Sequence, residues 1–237
     1  MIDCPGCAAI GADPALASVH HCVEPRTQFA SPELIEAIVY AGHDAGDDPR
    51  WRESGARDRA HYGFWASRSC GIVCLQMVLE HHGRPVPLLV DAAEAALAAG
   101  CYRPRPDGGL DGLLYQPFVE HTRDRYGLDV TVETSLTLDG ITAALGSGRL
   151  VVASVHPSLR RPEQPAAGRG GHLVLVTGIE NEQGSTAAAV LHVNNPSGHR
   201  ESSRRAVLCW TEFELFFARR GMTVPARPDR GVRRLFG

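Results

Sequence analysis

Three residues of this chain, a cysteine, a histidine and an asparagine, could together carry nucleophilic chemistry. Cys70 stands near the start of Ser69-Cys70-Gly71-Ile72-Val73-Cys74-Leu75-Gln76-Met77-Val78-Leu79-Glu80-His81-His82-Gly83. That stretch predicts one helix of about a dozen residues, stopped by a glycine. A thiol in the first helical turn meets unpaired backbone N–H groups and the positive end of the dipole, and both favour the thiolate. A thiolate nucleophile also needs a base within hydrogen-bonding reach and a third group to hold that base. His172 opens an apolar run, His172-Leu173-Val174-Leu175-Val176-Thr177-Gly178, directly after Gly170-Gly171. Asn194-Asn195-Pro196-Ser197-Gly198 ends the next apolar segment, and a hairpin returns that loop to the edge where His172 lies. An amide oxygen there accepts from the imidazole. For a lone cysteine the ordinary state is a small buried hydrophobe; the partners are what lift Cys70 out of it.

The elements that must position these groups follow from the pattern. Ser31-Pro32-Glu33 starts a helix with an oxygen-bearing cap, a proline and an acid in the first turn, and Gly42 ends it. Residues 43–59 are polar and charged and predict a surface loop or a short solvated helix. His61 to Arg68 leads into the Cys70 helix and carries Phe64 and Trp65. The apolar residues of the Cys70 helix wrap most of the way round, which predicts burial inside a domain. Helices are expected over Val86–Ala99 and Leu113–Tyr126. From Leu128 the period changes: strands are expected at 128–134, Leu150–Val155, 171–178, Ala187–Val193, Ala206–Cys209 and Met222–Val224. Short helices fall at Leu138–Leu145 and Glu212–Ala218, and 157–170 reads as a flexible loop. Helices first and a mostly antiparallel sheet afterwards make an α+β arrangement. The corresponding division is an N-terminal arm and helix (1–60), a catalytic domain (61–225, helical half 61–127 and sheet half 128–225) and a basic tail (226–237).

The bulk composition excludes several classes. With 237 residues, 43% hydrophobic, 22% charged and a net charge of -3, the chain has material for a real core and no bias toward nucleic acid or an anionic membrane. No apolar run approaches the roughly 20 residues that span a bilayer, and the N-terminus has neither the basic start nor the apolar core of a secretion signal. The expectation is a cytoplasmic protein whose seven cysteines serve as thiols, a metal site or catalysis rather than a disulfide framework. Cys4-Pro5-Gly6-Cys7 and Cys22 have the flavour of a zinc site, but a second pair at ligand spacing is missing. No metal and no cofactor is therefore assigned.

Taken together, three segments carry a resemblance. The Cys70 stretch resembles the nucleophile helix of the peptidases that cut bacteriocin precursors after a double-glycine leader, and of their stand-alone relatives. Gly170-Gly171-His172-Leu173-Val174-Leu175-Val176-Thr177-Gly178-Ile179 resembles that family's histidine strand, and Val193-Asn194-Asn195-Pro196-Ser197-Gly198 the segment with its third catalytic residue. The resemblance implies a papain-like fold over roughly Phe64 to Val224, a helical half bearing the nucleophile helix against a mostly antiparallel sheet half. It also implies a Cys70 nucleophile, a His172 base and Asn195 as orienting residue, preferred over Asn194 because the family's residue directly precedes the proline. Two departures stand out. The third residue is more often aspartate, and the family's oxyanion-donating glutamine, about six residues before the nucleophile, is replaced by Phe64 beside Trp65. His61, Ser67 or a backbone N–H would have to substitute.

Three functions compete on these residues. The leading one is a cysteine peptidase or amidohydrolase that acts on a peptide through a Cys70 thioester. The second is an acyltransferase or cyclase taking an activated acyl thioester, possibly carrier-protein-bound; thioesters open more easily than amides and make less demand on the oxyanion hole. The third is a catalytically silent binding module that keeps the fold. Neither nucleic acid nor membrane is an expected partner.

Overall fold

The computed structural model of the protein describes residues 16–182 and 189–227. In chain order its helices are α1 (Ile35–Tyr40), α2 (Arg59–Ala66), α3 (Cys70–His81), α4 (Leu89–Ala98), α5 (Tyr115–Tyr126), α6 (Leu138–Gly146), α7 (Glu201–Arg204) and α8 (Trp210–Phe216). Its strands are β1 (Leu16–His20), β2 (Thr131–Glu133), β3 (Arg149–Val155), β4 (His172–Glu182), β5 (Val190–Asn194), β6 (Arg205–Cys209) and β7 (Phe217–Pro225). The described strands form one antiparallel sheet in the order β2-β7-β3-β4-β5-β6, with β1 paired to the far end of β4. This is the expected α+β architecture. The β1 strand and the α2 helix are additions to it, because neither shows a clean period of its own. The turn expected between β4 and β5 lies mostly outside the described residues, as do Cys4, Cys7 and the basic tail beyond residue 227.

The sheet is covered on both faces, and the period of two along its strands decides which side chain goes where. Leu150 and Val152 of β3, Leu173 and Leu175 of β4, and Met222 and Val224 of β7 pack with α3, α4 and α5. Their alternates Val151, Ala153, Val155, Val174 and Val176 pack with α6 and α8 on the other side. Every residue from Gly71 to Leu79 in α3 is buried. A fully buried Leu, Ile, Val or Met contributes about 1.5–3 kcal/mol, so the helix that bears Cys70 is held by its whole circumference.

A third, smaller core differs from the sequence expectation. Residues 43–59 are on the surface but not wholly solvated: two 3-10 turns, Ala45–Asp47 and Trp51–Ser54, bury Ala45 and Trp51 against Phe29, Ile35 and Tyr62. The organiser is Asp48, only 1% exposed. Its carboxylate accepts from Ser31 N–H at 2.9 Å, Ser31 Oγ at 2.6 Å, Arg50 N–H at 2.9 Å and the Tyr62 hydroxyl at 2.9 Å. Burial pushes its pKa up, yet these bonds outweigh burial and hold it below the usual value. A charged residue in a polar run reads as surface until its partners, up to 17 residues away, are known.

A second difference concerns Cys22, which is disulfide-bonded rather than a free thiol and so cannot serve as a zinc thiolate. Among the described residues no group of three or more His, Cys, Asp and Glu is placed to hold a metal ion. No described helix is long and apolar enough to cross a membrane.

Replacing Asp48 by alanine strands four buried or half-buried donors, and the expected loss of unfolding free energy is about 3 kcal/mol. Urea denaturation of Asp48→Ala against the wild type measures it. A change under about 0.5 kcal/mol, the range of an ordinary surface substitution, would show that this layer does not unfold with the rest.

Candidate active site

The chain approaches α3 through α2 and a tight step. Asp58 caps α2 by accepting from His61 N–H at 2.7 Å, and Ser69 Oγ donates to Trp65 O at 2.8 Å, so the end of α2 and the start of α3 are tied directly. The first intrahelical bond of α3 is Val73 N–H to Ser69 O, which leaves the N–H groups at its start without helical partners. The Cys70 thiol receives backbone hydrogen bonds from Leu173 and Gly71. Gly71 permits this closeness: a Cβ there would lie 2.6 Å from Leu113 Cδ2 and 3.0 Å from Leu173 Cδ1.

His172 is the first residue of β4 and is 4% exposed. Gly170 and Gly171 lead into it with φ of 81° and 94°, a left-handed turn that glycine takes without strain. The hairpin with β5 returns the chain as expected. His172 Nε2 donates to Asn195 Oδ1 at 2.9 Å, and Ser197 Oγ lies 3.0 Å from the same nitrogen. Asn195 Oδ1 also accepts from Ser197 N–H at 3.0 Å, a local turn that locks the amide. Asn194 is turned away and donates to Val23 O at 2.8 Å, so of the two adjacent amides it is Asn195 that meets the imidazole. With the proton on Nε2, a neutral imidazole offers Nδ1 as its base. Cys70 and His172 line one cavity of about 360 Å³ between the helical and sheet halves, with Arg68, Gly112–Tyr115, Ser154, Gly171, Leu173 and Arg220. Two larger depressions, of about 530 and 450 Å³, lie elsewhere and include neither residue.

Sequence reasoning missed two members of this network. Arg160 ends a 3-10 turn, Pro157–Arg160, at the start of the segment read as a flexible loop; Leu159 is buried there and anchors the turn. Arg160 Nε donates to Ser197 Oγ at 2.7 Å, so Ser197 joins a guanidinium to the His172–Asn195 pair. Nothing in the spacing marks either residue, since each acts only through the tertiary approach of two loops.

Electrostatics at the site follow from burial. Burial and the nearby Arg160 guanidinium push His172 down to about 3, against the smaller upward pull of Asn195. Burial raises the Cys70 thiol, partly offset by the N–H groups of Leu173 and Gly71 and by Arg160. The resting pair is therefore neutral thiol and neutral imidazole, not a preformed thiolate. Deeper in α3, burial raises Cys74 well above its ordinary range, which leaves it an inert core thiol.

The two side-chain donors named in place of the missing glutamine do not reach the cavity. His61 Nε2 lies 2.7 Å from Glu94 Oε1, and Ser67 Oγ donates to Gly63 O at 3.1 Å; neither lines the cavity. Trp65 Nε1 donates to the same Glu94 oxygen at 2.8 Å. Arg68 does line the cavity. Its Nη1 donates to Phe64 O at 2.7 Å, and its guanidinium lies 4.3 Å from the centroid of the Phe64 ring. The aromatic found where an amide was expected thus serves as a shelf for a cation.

Comparison with known proteins adds the following. Among solved structures, the peptidase domain of Streptococcus ComA, a bifunctional ABC transporter involved in a quorum sensing pathway, matches with a TM-score of 0.42 at 15% identity. The match covers 67% of this chain and 93% of that one. No curated protein matches the sequence. The model of the Peptidase_C39 like family matches residues 56–223, well over half of the chain, and spans Cys70, His172 and Asn195 together. The chain belongs to the Peptidase_C39 like family and is a relative of the papain-like cysteine peptidases.

Proposed function

We propose that the protein is a cysteine peptidase that opens a peptide amide through an acyl-enzyme on Cys70. The observation that carries this reading is the fixing of His172 Nε2 by Asn195 and Ser197, which leaves Nδ1 as the basic nitrogen of a buried imidazole that lines the same cavity as Cys70. His172 Nδ1 takes the thiol proton as Sγ bonds to the substrate carbonyl carbon, and the carbonyl π pair moves onto oxygen. The oxyanion meets backbone N–H groups at the start of α3 and the Arg68 guanidinium. Collapse breaks the C–N bond, and the amine leaves with the proton from His172. Water, deprotonated by the same nitrogen, then attacks the thioester and releases the acid and the thiol.

Asn195 and Ser197 hold the ring in the working tautomer. An amide oxygen stabilises imidazolium less than a carboxylate does, and the nearby Arg160 destabilises it further. The design is that of a base that accepts a proton only in passing. An activated acyl thioester as substrate is the second reading, favoured by the absence of a side-chain amide at Phe64.

Intact-mass detection of an acyl adduct on Cys70 separates the two, using a panel of short peptides and small acyl thioesters. The peptidase reading expects peptides to turn over. Adducts from thioesters alone, passed on to an added amine, would sink it in favour of acyl transfer. Cys70→Ser should abolish adduct and turnover, and His172→Ala should lower the rate at least 10²-fold, the range of general-base catalysis. Unchanged rates in His172→Ala would mean that another group is the base.

The neutral resting pair has a pH signature. Because the thiol is raised, alkylation of Cys70 by iodoacetamide should climb through the alkaline range; a profile already flat from pH 5 upward would reveal a preformed thiolate. His172 also links stability to pH. Its unfolded form takes a proton at 6.5 while the folded form stays neutral down to about 3. Its contribution is therefore intact above pH 6.5 and is lost as pH falls toward 3, by up to roughly 1.4 kcal/mol per unit. Urea midpoints at pH 7 and pH 4.5 should differ less for His172→Gln than for the wild type, and equal differences would show that the imidazole does not carry this term.

A further inference from the structure

The sheet wall of the cavity contains a cationic corner that the acyl-transfer chemistry does not use. Opposite Ser154 of β3 the β7 strand carries three residues instead of one: Ala153 pairs with Gly221 and Val155 with Phe217, leaving Ala218, Arg219 and Arg220 in a bulge. Arg219 sits there at φ 54°, and it is the one non-glycine residue with positive φ among those described. A side chain in that conformation costs of order 1 kcal/mol, and such strain persists where the surroundings or the function require it. Gly221 closes the bulge, since a Cβ at that position would lie 2.1 Å from Val152 O. The effect is to separate two adjacent arginines. Arg219 turns to Glu214 and pairs with it, whereas Arg220 lines the cavity with Cys70 and His172.

Arg220 has no carboxylate partner among the described residues, and no Asp or Glu lines the cavity. Beside it is Ser154, 3% exposed, which also lines the cavity and whose hydroxyl makes no hydrogen bond to the described residues. The two converge on one point: a methyl built on Gly170 would lie 3.4 Å from Arg220 Nη2 and 3.5 Å from Ser154 Oγ. The Ser154 hydroxyl offers one donor to the cavity and the Arg220 guanidinium several more. One guest engages both, an anion with at least two acceptor oxygens. Arg68 from the helical half and Arg160 behind Ser197 add positive potential around the thiol, and a cleft lined by one sign of charge concentrates the opposite sign in its ligand.

From this corner we infer that the cleft selects substrates with a carboxylate next to the scissile carbonyl, held by Arg220 and Ser154. The inference rests on Cys70 being the reacting thiol and names the substrate class for that reading. The carboxylate is either an acidic side chain or the free C-terminus of a short peptide. Arg220 and Ser154 act here as specificity residues, binding the part of the substrate that does not react.

The test uses two alkylating agents of nearly the same size, iodoacetate and iodoacetamide, with Cys70 modification followed by peptide mass mapping. In the wild type the iodoacetate-to-iodoacetamide rate ratio at Cys70 should exceed that of free cysteine by on the order of 10-fold, and should shrink with added salt. In Arg220→Gln, and to a smaller extent in Ser154→Ala, the ratio should fall toward that of free cysteine; any change in thiolate population affects both reagents alike and cancels in the ratio. Arg220 is exposed and its side chain makes no hydrogen bond or ion pair with the described residues, so its variant is expected to fold, which the unfolding midpoint verifies. A ratio that is the same in wild type and Arg220→Gln overturns the inference. Failure of the proposed function looks different: Cys70 would then react no faster than Cys209 with either reagent, while the ratio at Cys70 could still be read. Chloroacetyl peptides divide the two carboxylate sources. Preference for chloroacetyl-Asp-amide over chloroacetyl-Asn-amide points to an acidic side chain, preference for chloroacetyl-Gly over its amide points to a free C-terminus, and no preference in either pair overturns the carboxylate assignment.

Discussion

The burial of α3 against the apolar face of β3, β4 and β7 is the constraint on which the site depends. Because α3 is buried from Gly71 to Leu79, it has no freedom to slide or roll without exposing apolar surface or opening a void. Its N-terminal end is thereby pinned beside the first residues of β4. Gly71 makes room at that junction for the Leu113 and Leu173 side chains, and the Leu173 N–H bonds to the thiol. His172, one residue earlier on the same strand, is placed by the same packing. Cys70 and His172 are thus two ends of one interface and not independent loop residues.

Burial also determines the charge state. A thiol and an imidazole removed from water both keep their neutral forms, and Arg160 strengthens this for the imidazole while it works against it for the thiol. One cation cannot stabilise both members of a thiolate–imidazolium pair. It can, however, favour any state in which negative charge appears near Cys70, whether on sulfur, on a tetrahedral oxygen or on a substrate carboxylate. The guanidinium on the Phe64 ring and the one that the β7 bulge turns inward have the same sign of effect. The aromatic that first reads as a lost amide donor becomes part of a cleft arranged around positive charge.

The loops that complete the site are held by polar contacts that cross between layers. Gln28 Nε2 donates to Ala66 O at 2.7 Å, and Gln28 N–H to Pro196 O at 2.8 Å, so one N-terminal residue spans from the end of α2 to the loop of Asn195. Gly198 lies where a Cβ would come within 2.5 Å of the Ser203 and Arg204 backbone, which forces that loop tight against α7. The N-terminal layer organised by Asp48 underlies α2 and so supports the approach to Cys70 from below.

Local chemistry and period were enough to read the helix of Cys70, its all-round burial, the strand of His172, the helix-then-sheet order and the pairing of imidazole with Asn195. Those features live in short windows: an apolar pattern around a helix, an alternating or continuous run along a strand, glycines at the turns, and a hairpin that brings two segments 23 residues apart face to face. The sequence misled where a residue's meaning depends on distant partners. Asp48 and Trp51 read as surface because their neighbours in sequence are charged, and Arg160 read as loop because its partner Ser197 is 37 residues away. The tertiary structure alone decided that Ser197 and Arg160 stand behind the ring, that Arg68 and not His61 or Ser67 reaches the cleft, and that a bulge turns Arg220 inward. The physical reason is the same in each case: side-chain direction at a loop or a bulge is decided by packing between layers, which no local pattern encodes.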